Sequence, residues 1–299
     1  MTPKLRSDLL LLLAAAIWGL AFVAQRLGME HVEPFAFNAA RFALGALALI
    51  PVVRARSRTG GPGGGPPAPW RRDLRRGAVL GGVLFGGATL QQFGVVETTA
   101  GKAGFITGLY VVLVPFLGLC VGQSTHGRTW VGAVLAVVGL YLLSITGTLH
   151  MQQGDVLVLL GAFFWAVHVL LIGRWAPRTE PVRLAALQFA VCSLLSLPLA
   201  LGLEEPTWQG LRGALGPILY AGLLSTGVAY TLQVVAQRQA PPAHAAIILS
   251  LEAVFAVLGG MVMLDESLGA RGIAGCVLML TGMIVSQLEP RPRTGPRPT

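Results

Sequence analysis

The sequence predicts an all-α integral membrane protein: ten transmembrane helices arranged as two inverted five-helix repeats, with both termini cytoplasmic. Three observations predict it. The 299 residues are 54% hydrophobic and only 12% charged, with a mean hydropathy of +0.69, which leaves too little polar surface to cover a water-soluble body of this length. The apolar residues gather into ten runs near the length that a bilayer crossing requires. The first five runs also recur in the second five: Trp18 returns as Trp165 and Arg41 falls opposite Gln188 at a spacing of 147, and Gln91 meets Gln233 at 142. Arg128, Gly132 and Gly139 meet Arg271, Gly275 and Gly282 at 143. Slow drift of the offset is what loop insertions and deletions produce. An odd number of crossings per copy mounts the second copy upside down relative to the first.

The first run is Leu9–Gln25. Lys4 and Arg6 before it, with Ala14, Ala15 and Ala16 inside it, also fit a cleaved secretory signal, but its likeness to the sixth run argues that it stays. Phe35–Val53 follows and carries Arg41. Thr59–Pro69, TGGPGGGPPAP, cannot form a regular element and reads as the centre of a flexible cytoplasmic linker over 54–76. Gly77–Val96 comes next, where Gly81, Gly82, Gly86 and Gly87 permit close helix approach. Ala103–Val121 and Trp130–Ile145 complete a first repeat over 8–146. The second repeat, 154–288, runs through Val156–Ile172, Ala185–Leu203, Leu211–Val235, Ala243–Leu264 and Gly272–Gln287. Gly216 beside Pro217 offers a place to bend. Gly132 with Gly139, and Gly275 with Gly282, are each seven residues apart and share a helix face suited to tight packing. Residues 289–299 read as a disordered basic tail.

Basic residues set the orientation. The N-terminus, the even-numbered connections and the tail hold 17 of the 22 Lys and Arg, from Lys4 to Arg297; the other connections hold only Arg26, Lys102, Arg212 and Arg271. The formal charge of +9 therefore reflects orientation in the cytoplasmic membrane, as a multi-pass protein, and not nucleic-acid binding, for which no aromatic platform or reading element is present. Cys120, Cys192 and Cys276 lie inside apolar runs without ligand spacing, so neither a disulfide framework nor a metal site is expected, and no cofactor is implied.

Several segments resemble EamA-type members of the drug/metabolite transporter superfamily. In the first half these are AAAIWGLAFV, FAFNAARFALGALAL and TTAGKAGFITGLYVVLVPFLGL; in the second, GAFFWAVHVLLIGR and the long stretch YTLQVVAQRQAPPAHAAIILSLEAVFAVLGGMVMLDESLGARGIAGCVLMLTG. The likeness covers nearly everything from Leu9 to Gln287. It implies two inverted five-helix repeats that move small organic solutes across the cytoplasmic membrane, with export the family habit. Members usually carry Glu-Pro in the ninth run, whereas this chain has Glu252-Ala253, so no proline is available to kink the helix there.

An ionisable group inside a span costs about 2.5 to 3.5 kcal/mol on insertion scales, so each one asks for a reason. Glu252 is the one acid well inside a run, roughly 13 Å from the start of the ninth at 1.5 Å per residue. It could bind a substrate amine, act as the proton-coupling group, or be a hydrogen-bonded packing residue. Arg41, the one internal base, could hold a substrate carboxylate with its planar fork or serve as counter-ion to Glu252. His168 shares a helix face with Trp165 and could titrate, though a lone His in a span is more often a packing residue. Trp18 and Trp165 stand in mid-span, as aromatic walls of a central cavity or as packed indoles. Gln92, Tyr110, Gln188, Tyr230 and Gln233, with Asn38 and Gln91, supply neutral donors and acceptors at depths where unpaired groups are disfavoured. Adjacent Gln91 and Gln92 cannot both point the same way.

The leading expectation is a secondary carrier for small metabolites, amino acids or related zwitterions, with a midplane site between the halves and protons as a candidate coupling ion. A monomer or a homodimer would suffice. No GxxxxGK[ST] motif is present, so ATP hydrolysis within the chain is not expected. The rival, an intramembrane enzyme acting on a small or lipid-like substrate, would need clustered His, Asp or Cys, yet Asp8, Asp73, Asp155 and Asp265 all fall at run ends.

Overall fold

A computed structural model describes residues 2–58, 70–98, 100–144, 152–263 and 269–287. The expected linker centre at 59–69 and the tail from 289 lie outside the described residues. Every regular element among the described residues is helical: α1 (Pro3–Gly28), α2 (Pro34–Arg58), α3 (Trp70–Glu97), α4 (Ala100–Gly108), α5 (Tyr110–Cys120), α6 (Gly127–Ser144), α7 (Gln153–Trp175), α8 (Pro181–Leu203), α9 (Trp208–Gly213), α10 (Leu215–Leu219), a π-helical stretch (Tyr220–Tyr230), α11 (Thr231–Ala236), α12 (Pro242–Leu249), α13 (Glu252–Met263) and α14 (Ala270–Gln287). Eight helical stretches are long and apolar enough to cross a bilayer, counting α4 with α5, α10 through α11, and α12 with α13 as continuous; α6 and α14 contain the two shorter apolar helices. Together they follow the ten apolar runs in order. Within the expected linker of 54–76, α2 continues to Arg58 and α3 starts at Trp70. A Gly/Pro-poor basic sequence outside the apolar run can still extend a helix once its first turns are held.

Local chemistry fixes the helix starts. Pro3, Pro34, Pro181 and Pro242 open α1, α2, α8 and α12, where the missing N–H has no intrahelical partner to lose. Thr2 Oγ1 accepts from Leu5 N and Glu180 from Arg183 N, satisfying N–H groups that a helix start leaves unpaired. The Gln152 amide donates to Asp155 Oδ2 at the start of α7. At the end of α5, Gly122 takes φ 76°, a left-handed conformation natural to glycine, and the chain turns back with Gln123 N donating to Gly118 O.

Tertiary contacts assign the ends to two faces. Near the chain's start, Asp8 Oδ1 accepts from His244 Nε2, and His244 Nδ1 meets Ser286 Oγ near the end of α14, so both ends of the described bundle share one face, the near face. Arg56–Glu180 and a buried Asp73 paired with Arg183 lie there too. On the far face, Arg26 Nη1 donates to Thr98 O, Thr98 Oγ1 to Asp155, and Glu204 accepts both Phe35 N and Ala36 N at the start of α2.

Exchange of the halves maps the helix pairing onto itself. α6 packs on α14 and α2 on α8; α3 packs on α7 as α1 packs on the π-helix; α1 packs on α13 as α7 packs on α4 and α5. The sense of the exchange is legible at the glycines. A Cβ built on Gly132 would lie 2.7 Å from Gly282 O, and one on Gly139 would lie 2.6 Å from Gly275 O. Residue numbers rise along α6 while they fall along α14, so these equivalent helices run antiparallel, and the second repeat is mounted inverted. Without a solvophobic drive between helices in lipid, such small-residue seams let backbones approach and gain dispersion contacts.

Candidate functional site

Both halves wall a buried cavity of about 40 Å³. Trp18, Phe22, Gln25, Arg41, Gln91, Thr107 and Tyr110 line it from the first half; Trp165, His168, Val169, Ser225, Tyr230, Gln233, Leu249 and Glu252 from the second. The lining itself obeys the repeat. Trp18 pairs with Trp165 and Phe22 with Val169 at the 147 offset; Gln91 with Gln233, Thr107 with Leu249, and Tyr110 with Glu252 at 142. Inversion thus builds the cavity from matched positions, while Arg41, His168, Gln25 and Tyr230 break its symmetry.

The elements present these side chains through interrupted helices. Leu109 separates α4 from α5, and Ser250–Leu251 separates α12 from α13, so Tyr110 and Glu252 are each the first residue after a break. The ninth run is interrupted despite lacking proline after Glu252: Ser250 Oγ donates to Ile247 O and Ala253 N reaches only to Ser250 O. Such hydroxyl back-bonding competes with the helical ladder. Over Tyr220–Tyr230 the eighth run widens to π geometry, a form that recurs at functional sites. Gly45 allows that stretch to approach, since a Cβ there would lie 2.5 Å from Thr226 Cγ2.

Tyr230 stands between the two indoles, with ring centroids 4.6 Å from Trp18 and 6.2 Å from Trp165. His168 meets the Tyr230 ring edge-on at 5.9 Å, and its Nε2 lies 2.7 Å from Gln188 Oε1, which makes Nε2 the donor. Trp18 N–H donates to Ser225 O at 3.1 Å; Trp165 N–H donates to Gln91 Oε1 at 2.9 Å. Each aromatic pair of this kind adds about 0.5–1.5 kcal/mol beyond burial.

The two charged groups do not pair with each other. Arg41 donates from Nε to Asn38 Oδ1 at 2.9 Å and rests its guanidinium 4.7 Å from the Phe42 ring centroid and 5.6 Å from that of Phe37, a cation–π seat. Glu252 faces the Tyr110 hydroxyl at hydrogen-bonding approach, but no bond of ordinary length and angle reaches Glu252 Oε1 or Tyr110 Oη. Gln233 Oε1 and Thr107 Oγ1 are likewise unpartnered. The cavity therefore offers a cation at one place and unfilled acceptors at another.

Of the residues singled out in the sequence, Trp18, Arg41, Tyr110, Trp165, His168, Tyr230, Gln233 and Glu252 line the cavity. Gln188 stands behind the wall, holding His168. Gln92 also stands outside the lining, with Nε2 directed at Gln25 O at 3.5 Å, and its neighbour Gln91 points inward instead. Gln25, Thr107 and Ser225 were not singled out: Gln25 sits at the edge of an apolar run, and the hydroxyls carry no hydropathy signal. The 142 and 147 offsets were the signal available, since applying them to Tyr110 and Trp18 finds their partners.

The profile of the EamA-like transporter family matches residues 5–145 and again 152–287. The chain belongs to the EamA-like transporter family. Among its relatives in that family and the wider drug/metabolite superfamily, an uncharacterized transporter of Archaeoglobus fulgidus is 32% identical over 287 residues, 96% of this chain and 87% of the relative. The uncharacterized transporter YwfM of Bacillus subtilis is 29% identical, covering 95% and 94%. The threonine/homoserine exporter RhtA of Escherichia coli is 27% identical over 87% of this chain and 83% of RhtA. A crystal structure shares this fold at a TM-score of 0.76 and 18% identity, covering 94% of this chain and 96% of the other. This EamA-family chain is a multi-pass membrane transporter.

Proposed function

We propose that this transporter exports amino acids or closely related zwitterions across the cytoplasmic membrane by alternating access at the cavity between its halves. The observation that carries the reading is that Arg41 and Glu252 line one cavity without pairing. A buried guanidinium and a buried carboxyl left apart are costly unless a third molecule brings the complementary groups. In this reading the Arg41 fork takes the substrate carboxylate, Glu252 takes the ammonium, and Trp18, Trp165 and Tyr230 cover the aliphatic part. RhtA's name supports amino-acid export. The near face is cytoplasmic, as the basic residues favour, and Glu252 is the proton-coupling group, released to bind substrate when it gives up its proton. At about 40 Å³ the cavity has room for roughly three waters, so it must widen to load.

Purified protein in liposomes tests this by counterflow of labelled amino acids drawn from a mixed pool. Saturable exchange of at least one amino acid is expected. Arg41→Ala and Glu252→Gln each remove a charge-assisted contact worth about 1.5–3 kcal/mol, raising half-saturation by roughly 10- to 100-fold. Exchange that accepts the decarboxylated amine as readily as the amino acid would sink the assignment of Arg41. A pH dependence that persists unchanged in Glu252→Gln would remove Glu252 as the proton carrier.

A further inference from the structure

The two halves close the cavity by different means. On the far-face side, Trp165 N–H donates to Gln91 Oε1 at 2.9 Å, Gln91 Nε2 donates to Gln25 Oε1 at 3.0 Å, and Gln25 Nε2 donates to Ala21 O at 3.2 Å. Every member is buried. The relay runs from α7 through α3 and ends on the backbone of α1, so each amide has one permitted orientation. Gln92 adds a longer tie to Gln25 O.

Exchanging the halves should turn this relay into Trp18, Gln233 and Ile172 on the near-face side. No such relay forms. Trp18 gives its N–H to Ser225 O, Gln233 Oε1 has no partner, and Ile172, fully buried, can neither donate nor accept. The difference rests on one position: Gln25 in the first repeat, isoleucine in the second. A separate pocket of about 510 Å³ lies on the near face, lined by residues that include Lys4, Asp8, His126, Arg128 and His244.

Inverted-repeat carriers open alternate faces by rocking or gating one half against the other around a fixed site. A contact present in only one half therefore biases the equilibrium between the two openings, whereas contacts shared by both halves do not. We propose that Gln25 is the positioning residue that sets the resting direction of this carrier: through Gln91 it holds Trp165 across the far-face side of the cavity, so that the empty protein loads from the near face. The inference rests on the cavity being the transport site, but not on which solute it carries. Each neutral hydrogen bond of this kind shifts such an equilibrium by about fivefold.

Gln25→Ile, which gives the first repeat the residue of the second, tests it. One readout needs no substrate. With Cys120 and Cys276 replaced by Ser and Cys192 by Ala, a cysteine placed by Thr107→Cys in the cavity wall is labelled by a membrane-impermeant thiol reagent from each side of oriented vesicles. Gln25→Ile should speed labelling from the far face at least fivefold and slow it from the near face. In transport, it should lower half-saturation at the far face and raise it at the near face, whereas a merely structural loss would reduce activity alike from both sides. Gln25→Asn, too short to reach Gln91 yet still an amide, should act in the same direction and decides the matter if the isoleucine variant fails to fold. Unchanged labelling from both sides, in whichever variant folds, overturns the proposal. A labelling shift in a protein that exchanges no amino acid leaves Gln25 in this role and removes the substrate assignment alone.

Discussion

Gly282→Ala is a severe test of the inverted packing. The added Cβ would lie 2.6 Å from Gly132 O, and 3.2 Å from both Ala136 N and Leu135 Cβ, whereas ordinary contact begins at 3.4 Å. The nearest obstacle is backbone, which cannot rotate aside, so α6 and α14 must part by about 0.8 Å. Overpacking of this kind costs about 1–3 kcal/mol. At roughly 2 °C per kcal/mol for a chain of this size, the melting midpoint in detergent should fall by about 4 °C, read by circular dichroism or by loss of the monodisperse peak on heating. Gly132→Ala should cost about as much, and the double variant less than the sum, because one separation of the helices accommodates both methyls. Gly82→Ala is the control: nothing lies within 4 Å of its added Cβ, and alanine favours helix over glycine. If Gly282→Ala melts with the parent protein, or no lower than Gly82→Ala, the close antiparallel seam is not as described.

Trp165→Phe keeps the ring but strands Gln91 Oε1 in a buried site, at a cost of about 1–3 kcal/mol; it should lower the melting midpoint more than Trp18→Phe, whose lost acceptor is a backbone carbonyl of the π-helical stretch. Equal losses would contradict the difference between the two indoles. Glu204 accepts Phe35 N and Ala36 N at 2.7 Å each, while partial burial pushes its carboxyl above the usual range against the opposing pull of those two bonds. Glu204→Ala removes this cap and should destabilise by about 1 kcal/mol, seen as a drop in midpoint of about 2 °C; no change would show that α2 starts independently of it.

Much of the architecture was readable because lipid imposes it. Ten apolar runs correspond in order to the spans and short helices, and the drifting offsets that tied Trp18 to Trp165 and Gln91 to Gln233 also pair most of the cavity wall. What hydropathy could not supply was rotation about each helix axis. A span that is apolar all round has little amphipathic signal, which is why Gln91 and Gln92 could not be ranked and Gln25 looked like a run end. The helix breaks were equally hidden, since Leu109 and Ser250–Leu251 contain neither glycine nor proline, and the alanine after Glu252 gave no pointer to the hydroxyl of Ser250. The separation of Arg41 from Glu252 is a matter of tertiary placement that spacing along a chain does not encode.

The interrupted spans also divide the molecule mechanically. α6 and α14 run unbroken along a seam where backbone meets backbone, stiff in the way a rivet line is stiff. α4 with α5 and α12 with α13 are instead pairs of short rods of 9, 11, 8 and 12 residues, joined where the ladder of hydrogen bonds is locally weakened. Torque applied at either membrane surface concentrates at such joints. Tyr110 and Glu252 sit on the pivots, so any tilt of the outer rods turns directly into a change of spacing between hydroxyl and carboxyl at the centre.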